Sequence, residues 1–214
     1  MGTRKRVNSE WHMRGIVAVC LFFWLSAVGA GLCLLWTYEN TPSSAATATD
    51  HWPEESKIQP TAGLATLVMF AHPKCPCTRA SIGELALIMA RCRGKLKAHV
   101  LFLKPDDTEN GWNKTDLWES AAAIPDVTAE TDEGGEEARR FHSLTSGQAL
   151  LYDANGRLLF SGGITGSRGH SGDNDGRSAI ISFLRDGQAE QSVTSVFGCS
   201  LGEPICQSEA EWQK

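Results

Sequence analysis

The sequence predicts an α/β domain carried behind one membrane-spanning helix, and three observations lead there. Residues 15–38 of the 214-residue chain form a run without a charge. Residues 64–103 read as strand, helix, strand, with apolar runs of strand length on either side of a helical period. Further on, Asn155-Gly156 separates two apolar runs, the pattern of a β-hairpin.

The first element is the span. Residues 1–14 form a basic start, with Arg4, Lys5, Arg6 and Arg14 against the single acid Glu10. At about 1.5 Å per residue, the uncharged run 15–38 reaches across a hydrocarbon core of roughly 30 Å. Trp36 and Tyr38 fall where an interfacial aromatic belt places them. Glu39, Asp50, Glu54 and Glu55 follow, so the charge asymmetry predicts an N-inside, single-pass protein with a periplasmic or extracellular C-terminal domain. Val28-Gly-Ala30 has the small residues of a cleavage site, but apolar residues continue to Trp36, which favours a retained anchor. A lipoprotein anchor needs a small residue before its cysteine, whereas Leu32 precedes Cys33 and Val19 precedes Cys20.

Residues 39–60 are rich in Thr, Ser, Ala, Pro and acids without apolar periodicity, and are expected to be a flexible linker. Residues 61–214 then form one domain of roughly 150 residues, enough for a core. The net charge of −5, with no basic stripe, argues against nucleic acid as a partner. The predicted topology places the domain in an oxidising space, where cysteine pairs cycle or lock.

Within the domain, the run 64–71 is a buried strand. Ile82, Leu85, Met89 and Cys92 mark one face of a helix over 78–92, and 97–103 is a second strand. This is a βαβ unit with a parallel pair and a right-handed crossover. A loop follows at 104–111. A short helix at 115–123 has Thr115 as cap and Leu117, Trp118 and Ala121 inward. A brief extended stretch at 124–127 precedes a helix at 135–142 with Phe141 as core contact. The hairpin pairs 148–153 with 157–161. A Gly-rich loop, 162–176, leads through a cap at Asp173 or Asp175 to a closing helix at 177–185, with Ile180, Ile181 and Leu184 inward.

The chemistry is that of sulfur. Cys75 and Cys77 stand at the join of strand and helix, where backbone N–H groups and the helix dipole stabilise a thiolate. Proline is favoured at the first helical position, so Pro76 makes Cys75 the N-cap and the favoured nucleophile. His72, Lys74 and Arg79 are expected to add positive charge. Cys75 and Cys77 diverge around the axis by about 100° per residue, so a disulfide between them is distorted and easily reduced. That makes the pair an oxidant or isomerase rather than a strong reductant. The other course is exchange of one of them with Cys199.

The same atoms allow a metal reading. Cys75 and Cys77 with His72, His170 or Cys199 offer soft ligands to Cu(I) or Zn(II), although the spacing matches no closed zinc pattern. A third reading is a non-catalytic tethered domain with structural or unreactive cysteines. Cys92 lies on the inner helix stripe as a core residue, and Cys20 and Cys33 pack within the span. Cys199 and Cys206 either close a short disulfide in the tail, or Cys199 folds back as a resolving thiol for Cys75. Asp173-Asn-Asp-Gly176 is not a calcium loop, since Ser182 stands where a bidentate Glu is needed. Asn113-Lys-Thr115 is a glycosylation sequon that matters only in a eukaryotic secretory pathway.

The order βαβ, helical insertion, hairpin, helix resembles the thioredoxin fold. Asp153-Ala-Asn-Gly156 is similar to the Asp-x-x-Gly hairpin of membrane-tethered thioredoxin-like proteins of bacterial envelopes. More narrowly, His72-Pro73, Cys75-Pro-Cys77-Thr-Arg79-Ala-Ser81, Gly162-Gly-Ile-Thr165, Arg168-Gly-His170 and Phe197-Gly-Cys199 resemble the RedB proteins over residues 64–199. The resemblance gives the fold and not the activity. The cysteines at the helix start make the expected work thiol–disulfide exchange on envelope protein thiols, as oxidoreductase or isomerase, without a cofactor. The resemblance also implies that the loop carrying Arg168 and His170 borders Cys75, with His170 as a proton shuttle. The chain departs from the thioredoxin pattern at two points. One residue rather than two separates the cysteines, and Thr145-Ser146-Gly147 stands where a cis-proline is usual. The Pro-x-x-x-Thr-x-x-Cys run of a peroxiredoxin is absent at Cys75.

Overall fold

Helix α1 (Thr3–Asn40) contains the uncharged run, and its segment Met13–Asn40 is long and apolar enough to cross a membrane. Ser26 and Thr37 donate to the carbonyls of Phe22 and Cys33 four residues back, so both hydroxyls are satisfied within the helix. The computed structural model describes residues 3–43 and 47–201, with side chains from residue 13 onward. Cys206 lies outside the described residues. The chain divides into two units at Thr41/Pro42, and the second carries the α/β domain.

That domain runs β1 (Ala65–Ala71), α2 (Pro76–Arg91), β2 (Leu96–Lys104), α3 (Asp116–Ala122), β3 (Val127–Glu133), α4 (Glu136–Arg140), β4 (Gln148–Tyr152), β5 (Leu158–Gly163) and α5 (Asp175–Asp186). The sheet order is β3-β2-β1-β4-β5, with β1, β2 and β3 parallel and the β4–β5 hairpin antiparallel to β1. The fold is thioredoxin-like. Central β1 is buried on both faces, which is why it reads as a continuous apolar run. Leu67, Met69 and Ala71 join the core that also holds Leu85, Ile88 and Cys92 of the α2 segment and Ile180 of α5. Val68 and Phe70 join the other core, with Phe141 and Tyr152. Alternation along the strand divides the two sets.

Three expectations need correction. Strand β3 extends well beyond the brief 124–127 stretch. Its residues are mostly polar because it is an edge, held by the ladder to β2 and by side chains such as Glu130 against His99 at 2.5 Å. Asn113, the sequon residue, is buried and donates its amide to Thr131 of this strand at 3.0 Å, so it serves packing.

Second, within the stretch expected to be a linker, Ser43 and residues 48–58 are docked on the domain. Trp52 packs edge-on to Phe141 and Tyr152 at 5.1 and 5.2 Å, Ala48 and Ile58 are buried, and His51 bridges Arg157 beside β5. Isolated apolar residues that dock singly leave no period in the sequence. Third, the N-cap of α5 is Asn174, whose Oδ1 accepts from Arg177 N at 2.8 Å, rather than either flanking aspartate.

Candidate active site

Pro76 opens α2 and Cys75 is its N-cap, as the register predicts, and Cys75 makes no side-chain capping bond to the helix. Its sulfur is the acceptor of the site instead. The Cys199 thiol donates to it across 2.8 Å, and the nearby backbone N–H groups of Cys199, Cys77 and Thr78 favour its charged form. Cys75 is only 1% exposed. Its pKa is lowered to about 5, chiefly by the bond from Cys199 and further by the three N–H groups, against a burial that works the other way. The helix start therefore contributes as expected, but a cysteine distant in sequence contributes most.

The partners pay the opposite way. Donating to Cys75 pushes the Cys199 thiol up, with burial and the Cys75 charge adding to it. Cys77 is raised first by burial, then by the charge of Cys75. The reduced site thus holds one thiolate, on Cys75, between two protonated neighbours. No disulfide links the six described cysteines in this structure.

The expected cations are engaged elsewhere. Lys74 Nζ lies over the Trp112 ring at 4.4 Å, and Arg79 pairs with Asp116 at 2.5 Å. His72 is buried, and burial is the main cause that lowers its pKa, so it is a neutral ring rather than a source of positive charge. Its Nδ1 accepts from Lys74 N, its carbonyl accepts from Cys75 N at 3.1 Å, and its N–H donates to Ser146 Oγ at 2.8 Å. It builds the loop beneath Cys75.

Arg168 does reach the site. One guanidinium nitrogen donates to Gly198 O at 2.9 Å and another to Ser43 Oγ at 3.0 Å, and its charge acts on Cys77 and Cys199. His170 does not join the sulfurs. Its ring is exposed and sits 2.8 Å from Arg168 O. Nor do Cys75, Cys77 and His72 assemble as a ligand set. Among the described residues, no group of three or more His, Cys, Asp or Glu is disposed to hold a metal ion.

Two residues that sequence reasoning missed complete the site. Ser146 N donates to Cys199 O at 2.8 Å, and Ser146 Oγ also meets Thr78 Oγ1 at 2.8 Å, tying the loop before β4 to both the cysteine arm and α2. Ser43 brackets the Gly198 residue, donating to its O at 2.7 Å and accepting from its N at 3.1 Å. Neither carries a motif, since a lone serine in a polar stretch gives no signal. The peptide bonds here are all trans.

The loop that presents Arg168 is anchored from below. Glu84 lies two turns along α2 from Cys77 and is fully buried against Arg177 of α5. It also accepts from Gly172 N at 2.8 Å and from the Asn174 amide. One carboxylate therefore ties α2, the Gly-rich loop and α5 together.

The sequence matches no family model and no curated protein. Solved structures share the fold. A hypothetical protein of Sinorhizobium meliloti superposes with a TM-score of 0.57 at 19% identity, over 77% of this chain and 99% of that one. An uncharacterized conserved protein of Geobacillus kaustophilus gives 0.55 at 15% identity, over 78% and 94%. At these identities the likeness is one of fold alone.

Proposed function

We propose that the protein is a membrane-anchored thiol–disulfide oxidoreductase or isomerase of the RedB type, acting on envelope protein thiols. Cys75 is its nucleophile and Cys199 its resolving cysteine. The observation that carries this reading is the Cys199 thiol donating to the buried Cys75 sulfur at 2.8 Å. A thiolate that forms near pH 5 attacks disulfides at neutral pH and leaves readily from them. In the first step Cys75 attacks a partner disulfide, forming a mixed disulfide and releasing one partner sulfur as thiolate. Cys199 then attacks Cys75 Sγ, its proton passes to the departing partner sulfur, and a Cys75–Cys199 disulfide remains. Run backwards, the same steps oxidise a partner dithiol. The stabilised thiolate favours that direction, since it favours the reduced enzyme.

Cys77 is a second protonated thiol beside Cys75, and Arg168 is a positioning residue on the cysteine arm. The trapping experiment follows from the order of steps. Cys75→Ser is expected to abolish exchange with a scrambled model protein. Cys199→Ser is expected to accumulate a mixed disulfide through Cys75, and Cys77→Ser to keep most of the wild-type rate. Accumulation with Cys77→Ser instead would transfer the resolving role to Cys77. Isolation of the protein with one tightly held Cu(I) or Zn(II), lost in both Cys75→Ser and Cys77→Ser and without exchange activity, would replace the oxidoreductase reading by metal delivery.

The anchor and its orientation are part of the proposal, supported by the uncharged run 15–38 within α1 and the basic residues that precede that run. A reporter fused after Lys214 is expected to read as external, and the protein to resist carbonate extraction. A soluble form beginning near Gly31 would show that the helix is a cleaved signal.

A further inference from the structure

A nucleophile that is 1% exposed cannot meet a partner protein until something moves. What covers Cys75 is the chain's own arm at 198–201. It lies as a short antiparallel strand along the loop before β4, with Thr145 and Ser200 as a bridge pair, Ser146 N donating to Cys199 O at 2.8 Å, and Leu201 N donating to Leu144 O at 2.9 Å. Upstream of the cysteine Ser43 and Arg168 grip the Gly198 residue, and Leu201 is buried on its other side. If the arm lifts, Leu144 O and Ser146 N lose these partners and offer a backbone edge beside the thiolate, which is the condition for strand addition by another chain.

Cys199 marks the backbone path by which a cysteine in an extended chain reaches Cys75 Sγ. The path has a steric condition. A Cβ at residue 198 would lie 1.9 Å from Ser146 O, a backbone atom, while the local conformation is one any residue adopts. Space alone demands glycine just before the cysteine.

We propose that the arm at 198–201 is a displaceable strand over Cys75, and that the partner's cysteine enters in an extended segment along the same path, pairing with Leu144 and Ser146, with glycine favoured immediately before it. This rests on the oxidoreductase reading and names its substrate class. Cys199 and the partner's cysteine then occupy one path in turn. The return of the arm, which delivers Cys199 to the mixed disulfide, also removes the partner's strand from the edge.

The test uses the reduced full-length protein in detergent and synthetic peptides carried as disulfides with a chromophoric aryl thiol. The peptides differ only in the residue before cysteine: Gly, Ala or Val. Attack by Cys75 on the peptide sulfur releases the aryl thiolate, which reports the first step. The Gly-Cys peptide is expected to react at least about tenfold faster than Ala-Cys, and Val-Cys more slowly still, as insertion of a Cβ against fixed backbone requires. In parallel, Gly198→Ala is expected to dislodge the arm and speed alkylation of Cys75 severalfold while the peptide preference persists, because the selecting atom, Ser146 O, is unchanged. If Gly198→Ala does not fold, Ser43→Ala, which loosens the same grip, is expected to give the faster alkylation. Equal rates for the Gly and Ala peptides overturn the shared path while leaving the oxidoreductase reading in place. Alkylation of Cys75 unchanged in both variants overturns the covering role of the arm. Failure of every peptide disulfide to react, with Cys75 open to alkylation, removes the oxidoreductase reading and the substrate class with it.

Discussion

Reduced protein is expected to gain stability as pH rises from about 5 to about 8.5 and to lose it again above that, relative to a Cys75→Ala variant. Cys75 has its folded pKa depressed to about 5, whereas an unfolded thiol titrates near 8.5. Its contribution is therefore fully present above the unfolded value and is lost as pH falls through the folded one. Between the two values the unfolded chain holds one more proton than the native state, so unfolding free energy climbs by at most about 1.4 kcal/mol per pH unit. Cys199 and Cys77 have raised values in the fold and act in the opposite sense. Above about 8.5 the unfolded chain releases protons that the native state keeps, and stability declines. Denaturant titrations of the reduced protein across this range measure both limbs. Because the bond from Cys199 is the largest cause of the Cys75 shift, Cys199→Ala is expected to raise the Cys75 pKa by about 1–2 units, the worth of a hydrogen bond to a charged group. Thiolate absorbance against pH reads that directly. A Cys75 that titrates near pH 5 without Cys199 would return the main role to the helix start.

The second large effect is expected far from the sulfurs. Glu84→Ala leaves Arg177 buried beside the exposed Asp173 as its remaining acidic partner, and removes the acceptor of Gly172 N and the Asn174 amide. Breaking a buried pair from one side costs about 3–5 kcal/mol, because the remaining charge stays desolvated. For a domain of this size that corresponds to a fall in Tm of roughly 6–20 °C. Glu84→Gln keeps the hydrogen-bond acceptor and is expected to lose less. The consequence for the site passes through the loop. Glu84 holds Gly172 and Asn174, the loop carries Arg168, and Arg168 grips Gly198 beside the resolving cysteine. Cys75 alkylation in Glu84→Ala, measured well below its Tm, is therefore expected to quicken. A variant that is destabilised but shows an unchanged alkylation rate would separate the salt bridge from the arm.

Local physics made much of this protein legible in its sequence. The uncharged run reads as a helix of membrane length, and the β1 and β2 runs read as buried strands, because their signals lie in consecutive residues. The Asn155-Gly156 turn is equally local: Gly156 takes φ +76°, and Asp153 Oδ1 accepts from Asn155 N and Arg157 N across the turn. The position of Cys75 at the cap of α2 followed from Pro76 alone. Tertiary structure decided what local pattern does not encode. Polar β3 became a strand because β2 offered it a ladder, and residues 48–58 docked because Trp52 found Phe141 and Tyr152. The charges expected to activate Cys75 were those nearest in sequence, Lys74 and Arg79, and both turned to closer partners in space. The group that acts on Cys75 most strongly is 124 residues away. Hydrogen bonds to a sulfur depend on distance and direction in space, and only the packing of the 198–201 arm against Leu144, Ser146 and Ser43 brings the Cys199 thiol within reach.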